Sequence, residues 1–218
     1  MNLFLNTVSN LLWKSLQELM SISEFDSFRL VGGTSLGLQL GHRKSVDIDM
    51  FTDVEYGSVD FDKLESILKQ KFTYIDSLQG NLTAMGKSFF IGKNASELVK
   101  LDLFYTDKYV FPLIDTNGIR LASIEEIAAM KLDVVGRGGR KKDFWDLHEL
   151  LDSYSIHDMI EFYTMRYPYN HSRNELINSL TDFDTAENDF TPICCKDKVW
   201  EIIKLDFEEI AQELRPKG

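Results

Sequence analysis

Cysteine, proline and histidine are scarce in this 218-residue chain, and long apolar runs are missing. The two cysteines, Cys194 and Cys195, are adjacent. Neighbouring thiols rarely pair with each other and two cannot make a disulfide framework, so both are read as reduced and structural. Four prolines and 13 glycines exclude collagen-like and linker-rich chains, and 44% hydrophobic with 27% charged residues excludes broad disorder. No apolar run approaches the ~20 residues of a membrane helix. The leading stretch from Leu3 to Trp13 is interrupted by Asn6, Ser9 and Asn10. It has neither a basic flank nor a small-residue cleavage site, so it is not read as a signal peptide, and the expected compartment is the cytoplasm. Positive charge is also short. Lys and Arg number 24 against 35 Asp and Glu, a net charge of −11. Such a surface repels polyanions at long range, which excludes broad non-specific nucleic-acid binding and leaves room only for a local basic patch. The four histidines show no metal-ligand spacing, and no Ser/His/Asp or Cys/His nucleophile arrangement stands out.

Hydrophobic spacing gives a coarse map. Residues 1–22 carry Leu5, Val8, Leu11, Leu16 and Leu19 at helical intervals. A short β-like run at 28–31 ends in Gly32-Gly33, and 34–40 reads as a short helix. Period-two alternation predicts strands at 46–51, 73–79, 82–92, 98–105 and 119–122. A helix over 61–72 has Ser58 or Asp60 as its cap. Ser123-Ile-Glu-Glu126 reads as a capping box opening a helix to about Val135. Helices are then predicted at 143–152, 155–165, 173–182 and 196–214. Length allows one large domain or two small ones. The expected division is an α+β part over 1–136 and a helical lobe over 137–218. The seam is placed at Gly136-Arg-Gly-Gly-Arg140, which is also the most basic stretch of the chain.

Five features carry chemistry. Asp47 and Asp49 stand two apart on a predicted strand, so their carboxylates share a face about 6–7 Å apart, with Val46, Ile48 and Met50 pointing into the core. Like charges this close repel unless a cation lies between them, and Mg²⁺ prefers such oxygen ligands; the alternative is an ordinary solvated strand face. Gly32, Gly33, Thr34 and Ser35 connect a strand end to a helix start, where backbone amides and two hydroxyls can meet an anion or simply form a turn. They do not match the Walker pattern, because no lysine follows the second glycine. Asp102 interrupts an apolar strand and shares its face with Lys100, a third carboxylate for the same cations or an exposed strand residue. Lys131 falls on the apolar stripe of its helix, made by Ile124, Ile127, Met130 and Val134. It is either a snorkelling side chain or one aimed at a phosphate. Asp143 and Asp146 share a helix face, with Asp143 suited to the helix N-terminus.

Taken in order, Val31-Gly-Gly-Thr-Ser-Leu36, Gly41-His-Arg-Lys-Ser-Val-Asp-Ile-Asp-Met-Phe51, Lys100-Leu-Asp-Leu-Phe104, Ala129-Met-Lys-Leu-Asp133 and Arg140-Lys-Lys-Asp-Phe-Trp-Asp-Leu147 resemble the AbiEii/AbiGii toxin family of polymerase-β-like nucleotidyltransferases. The resemblance covers roughly residues 28–205. It implies an α+β polymerase-β-like core, a mixed sheet flanked by helices, followed by a C-terminal helical lobe. It implies transfer of a nucleoside monophosphate from an NTP with loss of pyrophosphate. Asp47, Asp49 and Asp102 would be both catalytic residues and ligands of Mg²⁺, as two ions. Gly32, Gly33, Thr34 and Ser35 would cradle the phosphates, Arg43 and Lys131 would neutralise them, and Asp146 would orient Lys131 or the nucleotide. The basic seam at 137–142 would grip RNA or phosphate. The implied partners are the NTP, a tRNA 3′ end and an antitoxin encoded alongside. Alternatives are transfer to a cationic small molecule such as an aminoglycoside, transfer to a protein, and a nucleotide-binding module without catalysis.

Overall fold

Ser9 sets the start of the first helix. In the computed structural model, which describes residues 1–77 and 85–215, its hydroxyl accepts the Leu12 amide at 3.1 Å and opens α1, Asn10–Met20. The predicted helix over 1–22 is therefore shorter, preceded by a single 3₁₀ turn, Leu5–Thr7. Packing divides the chain into two units: residues 1–41 with 45–123, and residues 42–44 with 124–218.

The first unit holds the sheet. Its strands are β1 (Arg29–Leu30), β2 (Asp47–Thr52), β3 (Tyr74–Ser77), β4 (Gly86–Asn94), β5 (Glu97–Tyr105), β6 (Leu113–Thr116) and β7 (Ile119–Ala122). Their order is β3-β4-β5-β2-β1-β7-β6. β2 runs parallel to β5 and β1 parallel to β7, while the other neighbours are antiparallel, so the sheet is mixed. Two further helices, α2 (Gly32–Leu40) and α3 (Phe61–Lys71), complete the unit. Of the two caps considered for α3, Asp60 takes the position and accepts the Lys63 amide at 2.9 Å. The predicted strands 73–79 and 82–92 extend into residues outside those described, and their described parts are β3 and β4.

Alternation explains the burial. Ile48 and Met50 of β2 and Leu101 and Leu103 of β5 are fully buried against Leu12, Leu16 and Leu19 of α1. Each such side chain contributes roughly 1.5–3 kcal/mol when removed from water. The same period turns Asp47, Asp49, Lys100 and Asp102 to the opposite, half-buried face. Val46 does not enter the core as expected. It precedes the first paired residue and is 71% exposed. β6 was not anticipated, although its turn carried a signal: Asn117 and Gly118 both adopt positive φ, 56° and 76°, as an Asn-Gly hairpin requires.

The second unit is helical: α4 (Ile124–Val135), α5 (Lys141–Leu150), α6 (Ile156–Arg166), α7 (Arg173–Ser179), α8 (Asp184–Glu187) and α9 (Trp200–Leu214). The division falls at Ser123/Ile124 and not at 136/137, because α4 finds its partners in α5 and α6. Glu126 of α4 pairs with Arg166 of α6 with both side chains fully buried, and Lys131 pairs with Asp143 of α5. The glycine-rich seam is thus a bend inside this unit. Val134, read as part of the apolar stripe, is 38% exposed. The buried line runs instead through Ile127, Ala128, Leu132 and Val135. Phe144 of α5 is the aromatic hub, with ring centroids 5.1 Å from Phe183, 6.0 Å from Trp200 and 5.9 Å from Phe207.

Candidate active site

The parallel pairing of β2 with β5 sets Asp49 directly opposite Asp102 and Asp47 opposite Lys100. Three carboxylates and one ammonium therefore share one patch of sheet surface. Asp102 is held at both oxygens. Oδ1 accepts the Ser88 hydroxyl from β4 at 2.6 Å, and Oδ2 accepts Lys100 Nζ at 2.6 Å. Burial works against the charge on Lys100, but Asp102, then Asp47 and Asp49, outweigh it and raise its pKa.

Gly32 bounds this patch. Its φ of +66° lies in the left-handed region, and a Cβ there would come within 2.7 Å of Asp49 Oδ2. The glycine is therefore required both by conformation and by the close approach of the carboxylate. The Val31 amide donates to the Asp49 carbonyl at 2.9 Å, which ties the α2 entry to β2. α2 opens without a side-chain cap, and the amides of a helix start are the groups that meet anions. Thr34 and Ser35 differ from expectation: both are fully buried. The Thr34 hydroxyl is hydrogen-bonded to Ser45 Oγ at 2.7 Å and donates to the Asp47 carbonyl, while Ser35 Oγ accepts from Gln39 Nε2 at 3.1 Å. Their hydroxyls brace the turn and β2. What the turn can offer a phosphate is its backbone.

Arg43, Lys131 and Asp146 are brought together in the second unit. Asp146 is fully buried, and its oxygens accept Arg43 Nε at 2.6 Å, Arg43 Nη2 at 2.7 Å and His42 Nε2–H at 2.8 Å. Lys131 Nζ lies 2.7 Å from Asp146 and 2.5 Å from Asp143. Burial alone would raise the Asp146 pKa, but Arg43 and Lys131 hold it well below the usual carboxylate range. Burial likewise opposes the charge on Lys131, and Asp143 and Asp146 raise its pKa in spite of it. Lys131 is only 6% exposed and Arg43 3%, so neither snorkels nor stands open as a phosphate ligand. Arg43 is fixed from the other side by a backbone bridge to Cys194, with the Lys44 amide on the Ile193 carbonyl at 2.9 Å and the Cys195 amide on the His42 carbonyl at 2.8 Å.

Sequence reading missed Ser88, His42 and the second role of Asp143, which caps α5 at the Arg140 amide while pairing with Lys131. A serine between Lys87 and two phenylalanines on a strand was the available signal for Ser88. The basic seam is mostly answered internally. Arg137 pairs with Asp133, Arg140 lies 2.9 Å from Asp189, and Lys141 is buried above the Trp200 ring.

The carboxylate set on β2 and β5 matches a hard divalent cation in chemistry. Lys100 offsets part of the charge of the three carboxylates through its pair with Asp102. Their oxygens are not all drawn within 4.8 Å of one another. Among the described residues His157, Asp158 and Glu161 are, but they lie exposed on α6, where a cap and an i,i+4 pair account for them.

Comparison with known proteins decides the family. The model of the nucleotidyl transferase AbiEii toxin, type IV toxin–antitoxin system, matches residues 14–216. The chain belongs to that family. As a member it is a nucleotidyltransferase. It is 25% identical over 217 residues to an uncharacterized protein of Aquifex aeolicus (strain VF5), covering 94% of this chain and 92% of the relative. Two solved structures share the fold. JHP933 of Helicobacter pylori has a TM-score of 0.55 at 20% identity, covering 92% of this chain and 89% of its own. MenT4, a nucleotidyltransferase toxin of Mycobacterium tuberculosis H37Rv, has a TM-score of 0.53 at 14% identity, covering 92% and 85%. No helix among the described residues is long and apolar enough to cross a membrane.

Proposed function

We propose that this chain transfers a nucleoside monophosphate to the 3′ end of tRNA in an Mg²⁺-dependent reaction, as the toxin of a pair whose antitoxin is encoded beside it. The observation that carries the catalytic part is the register of β2 on β5, which aligns Asp49 with Asp102 and leaves Asp47 on the same face. Asp47, Asp49 and Asp102 would hold the metal. When bound, divalent ions would offset the triphosphate charge and lower the pKa of the acceptor hydroxyl. Gly32 and Gly33 would let the triphosphate approach the backbone at the start of α2, with Thr34 and Ser35 holding that turn in shape. Asp102 would also help to deprotonate the acceptor hydroxyl, and Ser88 would keep the carboxylate aimed. In the helical unit, Arg43 has its guanidinium committed to Asp146, so it would act by fixing that carboxylate. Lys131 is buried between Asp143 and Asp146 and would act with Arg43, by fixing that cluster.

The tRNA acceptor and the antitoxin rest on family membership alone. A second reading, a small cationic acceptor, is favoured by the net charge of −11 and by the paired state of the basic seam. The test is incubation with Mg²⁺, each α-labelled NTP and cellular RNA, with Asp47→Asn as control. A labelled tRNA-sized band absent from the control supports the first reading. Label that appears only in a small-molecule fraction supports the second.

A further inference from the structure

Lys100 has no place in the scheme so far, yet its ammonium lies within the carboxylate patch. It stands on β5 across from Asp47 and two residues before Asp102, and its ammonium bonds Asp102 Oδ2 at 2.6 Å. Its side chain is about a third exposed, so the ammonium can leave without breaking the core. Ser88 holds the other oxygen of Asp102, so the carboxylate keeps its orientation if Lys100 moves away. A divalent ion ligated by Asp47, Asp49 and Asp102 needs the same oxygen and the same electrostatic position.

We propose that Lys100 is the resident counter-ion of the metal set, a positioning residue that holds Asp102 in place until a divalent cation displaces it. The proposal rests on the assignment of these three aspartates as metal ligands. It follows that metal alone binds weakly, because ligation by Asp102 costs its bond to the Lys100 ammonium. A nucleotide arriving with the metal relieves this cost, since its phosphates offer the displaced ammonium a new anion. Metal and nucleotide are thereby coupled, and couplings of this kind typically span roughly 5–150-fold in affinity.

The experiment is titration of the nucleotide-free full-length protein with Mn²⁺, free ion being followed by electron paramagnetic resonance, for wild type, Lys100→Met, Lys100→Arg and Asp49→Asn. Met keeps the apolar stem and removes the charge. Folding of each variant is checked by thermal unfolding. The expected result is Mn²⁺ affinity about tenfold higher in Lys100→Met, at the low end of such couplings. Lys100→Arg should stay near wild type and Asp49→Asn should weaken. An unchanged or lower affinity in folded Lys100→Met, with Asp49→Asn weakened, would overturn the role of Lys100 and leave the metal ligands standing. An unchanged affinity in Asp49→Asn would overturn the ligand assignment itself, and the role of Lys100 with it. Should Lys100→Met fail to fold, Lys100→Gln takes its place with the same expectation.

Discussion

Two groups of aspartates in this molecule have opposite fates. On β2 and β5, Asp47, Asp49 and Asp102 are half-buried on one face, with Lys100 paired to Asp102. In the helical unit, Asp143 and Asp146 are buried and matched charge for charge by Lys131 and Arg43, with His42 completing the shell. The first group lies on an open face, which suits ligand binding. The second is neutral as a whole and closed, which suits architecture. The lesson is that an aspartate's role follows from its charge balance and access to water more than from its identity in a motif.

The largest effect that separates the two groups is on stability. Asp146→Ala leaves Arg43 and part of the Lys131 charge buried without a partner and should cost about 3–5 kcal/mol, read by urea unfolding. A loss below 1 kcal/mol would mean water reaches the cluster. Next is Asp49→Asn, expected to lower nucleotidyl transfer at least about 10²-fold, the scale set by removing one preorganised electrostatic group. Its unfolding midpoint should stay near wild type, and a variant that unfolds would move Asp49 into the structural group. Gly32→Ala is expected to do both, less strongly. The left-handed backbone costs roughly 1–2 kcal/mol, and the new Cβ pushes on Asp49, so activity should fall beyond what stability explains. Unaltered kcat would show that Asp49 has room to move.

The smallest expected effect is a pH limb. Asp146 has its pKa depressed below the ordinary 3.8, so its contribution is present above that value and is lost as pH falls through the folded-state pKa. Wild type should therefore lose stability below about pH 4 more steeply than Asp146→Asn. Lys131 has the opposite sign. Its raised pKa keeps its contribution below 10.5 and surrenders it as pH climbs past the folded-state value. Parallel pH curves for wild type and Asp146→Asn would remove the cluster from the account.

Much of this was legible in the sequence, because period-two alternation survives folding intact. It placed Ile48 and Met50 inside, Asp47 and Asp49 outside, and Asp102 with Lys100 on one face of a strand. The Gly-Gly pair does open α2, and Asp60 does cap α3. What stayed hidden depends on pairing between distant segments. Nothing local says that Ser88 will lie across from Asp102, or that the strand-like His42–Lys44 will bridge Cys194 and deliver Arg43 to Asp146. Lys131 illustrates the gap. Its place on a largely apolar helix was readable, but two acids twelve and fifteen residues away decide whether its charge is offered or already used. The unit boundary misled for the same reason: glycines mark a bend, while burial of α4 against α6 decides membership.

The most direct test of the account measures transfer and unfolding on the same preparations of wild type, Asp49→Asn and Asp146→Ala, with Mg²⁺ present. The account predicts that Asp49→Asn melts like wild type and transfers nothing measurable, whereas Asp146→Ala melts several degrees lower. An active Asp49→Asn protein, or one as destabilised as Asp146→Ala, would contradict the division between an open catalytic carboxylate face and a closed structural one.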